Sequence, residues 1–174
     1  MHFGLLSIFQ NYLDSQDDAE VMQGELALAR LAESAGFGSY WATEHHFFGY
    51  SMCPDNFQWL AQVAACTERI RLGTGAVIVP WNDPYRIAAK MALLDQQSQG
   101  RGLLGFGRGL SRREYAGFGI PMDEARGRFD QGTALVLEAL NKGFFEADTE
   151  YFQRPRTDLR PKPTAGFSDR VYSI

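Results

Sequence analysis

Cysteine is scarce in this chain. There are two, Cys53 and Cys66, in no metal-like spacing and with no disulfide framework around them. The start, Met1-His2-Phe3-Gly4, lacks a basic n-region and a small-residue cleavage site, so the thiols read as free in a cytoplasmic protein. Positive charge is short as well: 17 Lys and Arg face 21 Asp and Glu, for a net charge of −4. The basic residues form no stripe, which argues against a nucleic-acid partner. No apolar run reaches membrane-spanning length, and no internal repeat is visible. What remains is ordinary globular material, 174 residues of which 45% are hydrophobic, the size of one domain.

The most informative stretch is Tyr40 to Phe48, Y-W-A-T-E-H-H-F-F. It begins as a short apolar strand and ends in Glu44, His45 and His46. A parallel strand covered on both faces is apolar along its length. Polar groups collect where it leaves the sheet, and in α/β folds ligands bind at that rim. Because successive strand residues alternate in direction, Glu44 and His46 are expected on one side and His45 on the other.

Around this stretch, strands and helices alternate. Strands are expected at His2–Phe9, Tyr40–Phe48, Ile70–Val79 and Gly102–Phe106. Helices are expected at about Ala19–Ala35, Asn56–Thr67, Pro84–Gln97 and Asp123–Asn141. Ser15 or Asp17 can cap the first helix, Gly36 ends it, and Pro84 suits a first helical turn. Ser111 to Pro121 reads as a loop. Phe144 to Phe152 reads as a hairpin arm with Asp148-Thr149 at its tip, Arg154 to Pro163 as irregular chain, and Arg170 to Ile174 as a fifth strand. Alternation of this kind means βαβ units and a parallel sheet, either doubly wound or part of a (β/α)8 barrel.

Several residues could carry chemistry. Strand four ends in G-F-G-R-G-L, Gly105 to Leu110. A dinucleotide fingerprint requires glycine where Leu110 stands, so that motif fails. What is left is an arginine on a glycine-lined strand end, suited to clamping phosphate, since guanidinium matches phosphate with two hydrogen bonds. The alternative is a surface arginine paired with an acid. Adjacent His45 and His46 on a strand cannot face one ion, so no metal site is expected. A histidine at a strand end suits proton transfer near neutral pH. Glu44 suits a cofactor contact, an orienting partner, or an ion pair with Arg108. Gly73 and Gly75 inside a strand mark either close ligand approach or barrel packing.

Four motifs, W-A-T-E-H-H-F, I-R-L-G-T-G-A-V-I-V-P, L-L-D-Q-Q-S-Q-G-R and G-F-G-R-G-L, in this order resemble the bacterial luciferase-like flavin-dependent monooxygenase family along the whole chain. The resemblance implies a (β/α)8 TIM barrel, of which residues 1–174 would supply about five parallel strands and four helices plus a hairpin arm, one incomplete domain. It implies reduced FMN as cosubstrate, O2, a small organic substrate, and a flavin reductase as the source of reduced flavin. On the matching motif positions, His45 would be the catalytic base, and Glu44, Gly75, Ala76, Arg108 and Leu110 would bind the cofactor. A non-prolyl cis peptide is implied between Gly75 and Ala76. Gly107 stands where luciferases carry a reactive cysteine. Two alternatives are a deazaflavin (F420)-dependent dehydrogenase of the same superfamily and a non-catalytic flavin-binding protein. Five strands cannot close an eight-stranded barrel. The expectation is therefore a truncated chain with bare edge strands that self-associates, as a homodimer or otherwise.

Overall fold

The structure, a computed structural model, describes residues 1–173. In chain order the elements are β1 (Gly4–Ser7), α1 (Asp18–Ser34), β2 (Ser39–Ala42), α2 (Asn56–Ala65), β3 (Arg71–Thr74), β4 (Val77–Ile78), α3 (Pro84–Gln97), β5 (Gly102–Gly107), α4 (Arg112–Phe118), α5 (Ala125–Lys142), β6 (Phe144–Asp148), β7 (Gln153–Asp158) and β8 (Val171–Ser173).

Strand order decides between the two architectures. β1, β2, β3, β5 and β8 lie side by side in sequence order, every pairing parallel, with β4 beside the C-terminal end of β5. A doubly wound sheet reverses its order at a switch point. This one never does, so it is an arc of the singly wound (β/α)8 type.

Short side chains start the helices where the sequence places them. Asp17 accepts from the Ala19 amide at 2.7 Å. Asp55 accepts from Phe57 and Gln58 at 3.1 and 3.2 Å, and Asp83 from Arg86 at 3.1 Å. Each satisfies amides that a helix leaves unpaired. Gly36, with φ +85°, follows α1 at the expected stop. The helices cover one face of the sheet. Tyr40, Leu72 and Leu104 point into that core with no exposure, and Trp59 Nε1 donates to the Tyr40 hydroxyl at 2.8 Å. Among the described residues, no helix is long and apolar enough to cross a membrane.

Four expectations need correction. Ser111–Pro121 is not all loop: it holds α4, so the described residues form five α-helices. The hairpin's second strand runs to Asp158, through chain expected to be irregular. The strand from Tyr40 stops at Ala42: the Thr43 amide still donates to Ser7 of β1, and beyond it the chain leaves the sheet, with His45 N donating to Cys53. The strand from Ile70 is broken at a cis Gly75-Ala76 peptide into β3 and β4. Gly73 serves packing, since a Cβ there would lie 2.2 Å from the Trp41 ring. Ile174 of the expected fifth strand lies outside the described residues.

The last strand is fixed from below. Asp95, fully buried, binds Arg170 Nη1 at 2.5 Å and accepts from the Thr164 amide at 2.7 Å. Arg170 also donates to the Gly100 and Ala165 carbonyls. This buried pair is fully hydrogen-bonded, the condition under which buried charge is tolerated. It seats β8 against β5 and so sets the width of the arc.

Candidate active site

The rim at the C-terminal ends of the strands is built from three segments: residues 43–50 after β2, residues 75–82 around β4, and residues 107–118 after β5. Residues 44–46 lie beyond the end of β2 at Ala42, and Glu44 and His45 line the same cavity. The buried Glu44 carboxylate lies 3.1 Å from His46 Nε2, while His45 Nδ1 turns to Glu114 Oε1, also at 3.1 Å.

Glu44 joins the first two segments. It accepts from the Ile78 amide at 3.0 Å, Trp81 Nε1 at 2.8 Å and Asn82 Nδ2 at 3.0 Å. These three donors and His46 satisfy a carboxylate that is only 5% exposed, as buried charge requires. An ion pair between Glu44 and Arg108 is not formed.

The third segment is held by α4. Ser111 caps the helix. The Tyr115 hydroxyl donates to the Arg108 carbonyl at 2.5 Å. Burial pushes the Tyr115 phenol up from its ordinary value, against the pull of Arg108, which keeps the donor proton in place. Fixing the Arg108 carbonyl leaves its side chain exposed. Among the described residues the Arg108 guanidinium has no acidic partner.

These segments enclose a cavity of about 580 Å3. All six residues named from the sequence, Glu44, His45, Gly75, Ala76, Arg108 and Leu110, line it. The structure brings them together from three loops that are up to 66 residues apart in sequence (Glu44 to Leu110). Leu110 is 81% exposed at the mouth. Phe48 and Tyr50 lie nearly parallel, 5.8 Å between centroids, along the same wall. Gly107 faces Ile78 and Ala76: a Cβ at position 107 would lie 2.7 Å from Ile78 Cδ1 and 3.0 Å from Ala76 Cβ. A cysteine there would require the Ile78 side chain to shift and Ala76 to give slightly.

Sequence reasoning missed Glu114, Tyr115 and Trp81. A signal for the first existed. Ser111-x-x-Glu114 is the capping-box pattern that announces a helix start. In the fold, Glu114 does not reach back to its own helix; it crosses to His45 and to the His46 amide, at 2.8 Å. Nothing local announces that crossing. Trp81, 37 residues from Glu44 in sequence, was likewise invisible as its partner.

The whole described chain, residues 1–173, matches the model of the luciferase-like monooxygenase family. It is 34% identical to the alkanal monooxygenase alpha chain of Aliivibrio fischeri over 164 residues, 93% of this chain and 46% of that one. It is 30% identical to the oxygenase component of the flavin-dependent trigonelline monooxygenase of Acinetobacter baylyi, over 94% of this chain and 46% of that one. The crystal structure of monooxygenase RslO1 from Streptomyces bottropensis superposes with a TM-score of 0.93 at 32% identity, covering 99% of this chain and 53% of RslO1. The chain therefore spans about half the length of the proteins it matches.

Proposed function

The chain belongs to the luciferase-like monooxygenase family, and from that premise we propose that it forms the FMN-holding, proton-handling part of a flavin-dependent monooxygenase. One observation carries the proposal: six residues chosen from sequence motifs line one cavity. The donor set fits a phosphorylated ring system. The cavity volume is within the usual range of roughly 300–1,000 Å3 for small-molecule sites. The unpaired Arg108 is a phosphate partner, with two parallel N–H groups for its oxygens. The Gly75-Ala76 backbone, without bulky side chains, offers a flat face for a ring to pack on. Ile78, Trp81 and Leu110 supply apolar walls.

When bound, reduced flavin supplies the oxygen activation. The chain's own residues bind, orient and shield. Arg108 anchors the phosphate. Glu44 keeps residues 78–82 fixed against the rim, so the cis-peptide wall holds its shape. His45, lining the cavity with its side chain 29% exposed, accepts or returns a proton on the ring nitrogen that Glu114 leaves free. Apolar walls keep water from the reacting centre.

The substrate is a small organic molecule. A separate flavin reductase supplies the reduced cofactor, a reading supported by the Acinetobacter baylyi relative being named an oxygenase component. Among the described residues β1 and β8 pair on one side only, which supports self-association, or completion of the arc by further strands, in the working enzyme.

The test is to supply reduced FMN and O2 with candidate substrates, to this chain and to a form extended to the relatives' length. Oxygen uptake coupled to an oxygenated product is the expected result. Reduction of deazaflavin F420 by an alcohol would replace the proposal with a dehydrogenase. Tight FMN binding without turnover in either form would leave a binding protein.

A further inference from the structure

We propose that Glu114 is a positioning residue that holds His45 in the tautomer with its proton on Nδ1, so that Nε2 is the acceptor left for chemistry. The role given to Nε2 rests on the function proposed above. The tautomer does not.

Glu114 is separated from His45 by 69 positions and is 1% exposed. Its Oε1 accepts from the His46 amide at 2.8 Å, and a backbone N–H can only donate. The same oxygen lies 3.1 Å from His45 Nδ1. An ionised carboxylate only accepts, so the proton between them belongs to the ring. Among the described residues, Nε2 of His45 has no hydrogen-bond partner. A histidine with one nitrogen pinned by an acceptor presents the lone pair of the other, the logic by which a carboxylate orients a catalytic imidazole.

No Lys or Arg pairs with Glu114 among the described residues; His45 is its one ionisable partner. A buried carboxylate lacking a cation is expensive to keep. A purely structural link between α4 and the 43–50 loop already exists without it. Arg113 donates to the Phe47 carbonyl at 2.8 Å and lies over the Phe48 ring, and Phe118 packs on Phe47 and His46. The remaining groups around the His45 ring do not compete for Nδ1. Tyr50 meets it edge-on at 5.5 Å, and Glu44 and His46 are engaged with each other.

The tautomer is read directly by 15N NMR of the chain labelled at its three histidines. The His45 signals are those that vanish in His45→Gln. At a pH where the imidazoles are neutral, His45 is expected to show a protonated-type Nδ1 and an unprotonated Nε2. Glu114→Leu keeps the volume and removes the acceptor. It should abolish the Nδ1–H signature and move the proton to Nε2, the form a free imidazole prefers. An Nε2–H tautomer in the unaltered chain overturns the proposal, even if Glu114→Leu fails to fold. So does an unchanged Nδ1–H signature in a folded Glu114→Leu chain. Failure to bind flavin would sink the function proposed above and leave this result standing.

Discussion

The two faces of the sheet differ sharply. Toward the helices, Tyr40, Leu72 and Leu104 are completely buried and the Tyr40 hydroxyl is paired. On the concave face, Leu6 is 50% exposed and Tyr172 43% exposed, and Trp41 meets Tyr172 edge-on at 5.1 Å. The helix-covered face is a finished core. The concave face is covered only in part: Leu103 is buried there, but Leu6 and Tyr172 return less of the roughly 25 cal/mol per Å2 that burial yields. The candidate site stands at the rim of this sheet, on loops tied by Glu44 and Glu114 rather than by apolar burial. Stability and chemistry therefore draw on different residues.

That separation can be tested by substitution. The largest effect is expected at the rim. In the active form, His45→Ala should lower turnover by roughly 10²–10⁴-fold, the usual contribution of a positioned acid or base, with a smaller loss in urea midpoint than a core truncation gives. A shared loss of both would merge the two classes. Next, Leu104→Ala should cost about 2–5 kcal/mol in urea unfolding. Leu6→Ala, half exposed on the open face, should cost about 1 kcal/mol or less. Equal losses would mean the concave face is covered in solution, as self-association would do.

Arg108→Ala should weaken FMN binding by roughly 10- to 100-fold, the worth of a charged hydrogen bond. Riboflavin, which has no phosphate, should bind both forms alike. A parallel loss for riboflavin would remove Arg108 from the phosphate and make it a shaping residue. All of these differences are read by fluorescence titration.

The smallest effects are in pH dependence, and they belong to the finished face. Burial pushes the Cys53 thiol up from 9.0 to about 12 and the Tyr40 phenol up from 10.0 to about 12. Both are neutral when buried. Their contribution to stability is whole below the unfolded values near 9 and 10 and is lost as pH climbs through about 12. Glu33 behaves oppositely. Burial raises it, but the Ile70, Arg69 and Glu68 amides and the Arg69 charge bring it below 4.5 overall. Its contribution is present above 4.5 and fades as pH falls through the lower folded value. Melting temperature against pH should slope down at both ends, and Glu33→Gln should flatten only the acid side.

Much of this was readable in advance, for identifiable reasons. Caps are local: Asp17, one of the two candidates for the first helix, bonds the Ala19 amide two residues away. Apolar runs and their spacing announced the strands. The motif positions Glu44, His45, Gly75, Ala76, Arg108 and Leu110 were identified by resemblance and converge in one cavity. Helix α4 escaped because seven residues, R-R-E-Y-A-G-F, are short, polar and contain a glycine, too little for a periodic signal. The end of β2 escaped because Thr43 to Phe48 remain strand-like in composition while the His45 and His46 amides bond outside the sheet, to Cys53 and Glu114.

Sequence by itself determined the alternation of strands and helices and the start of the first helix, because those depend on neighbours within a turn, and its motifs marked six of the groups at the rim. Tertiary structure alone decided that the strands run in unbroken order, that Glu44 holds the 78–82 segment, and that Glu114 meets His45. Such pairings are between groups 34 to 69 positions apart. They exist only once the sheet has brought its strand ends to a common rim, where a buried carboxylate takes whichever donors the fold delivers.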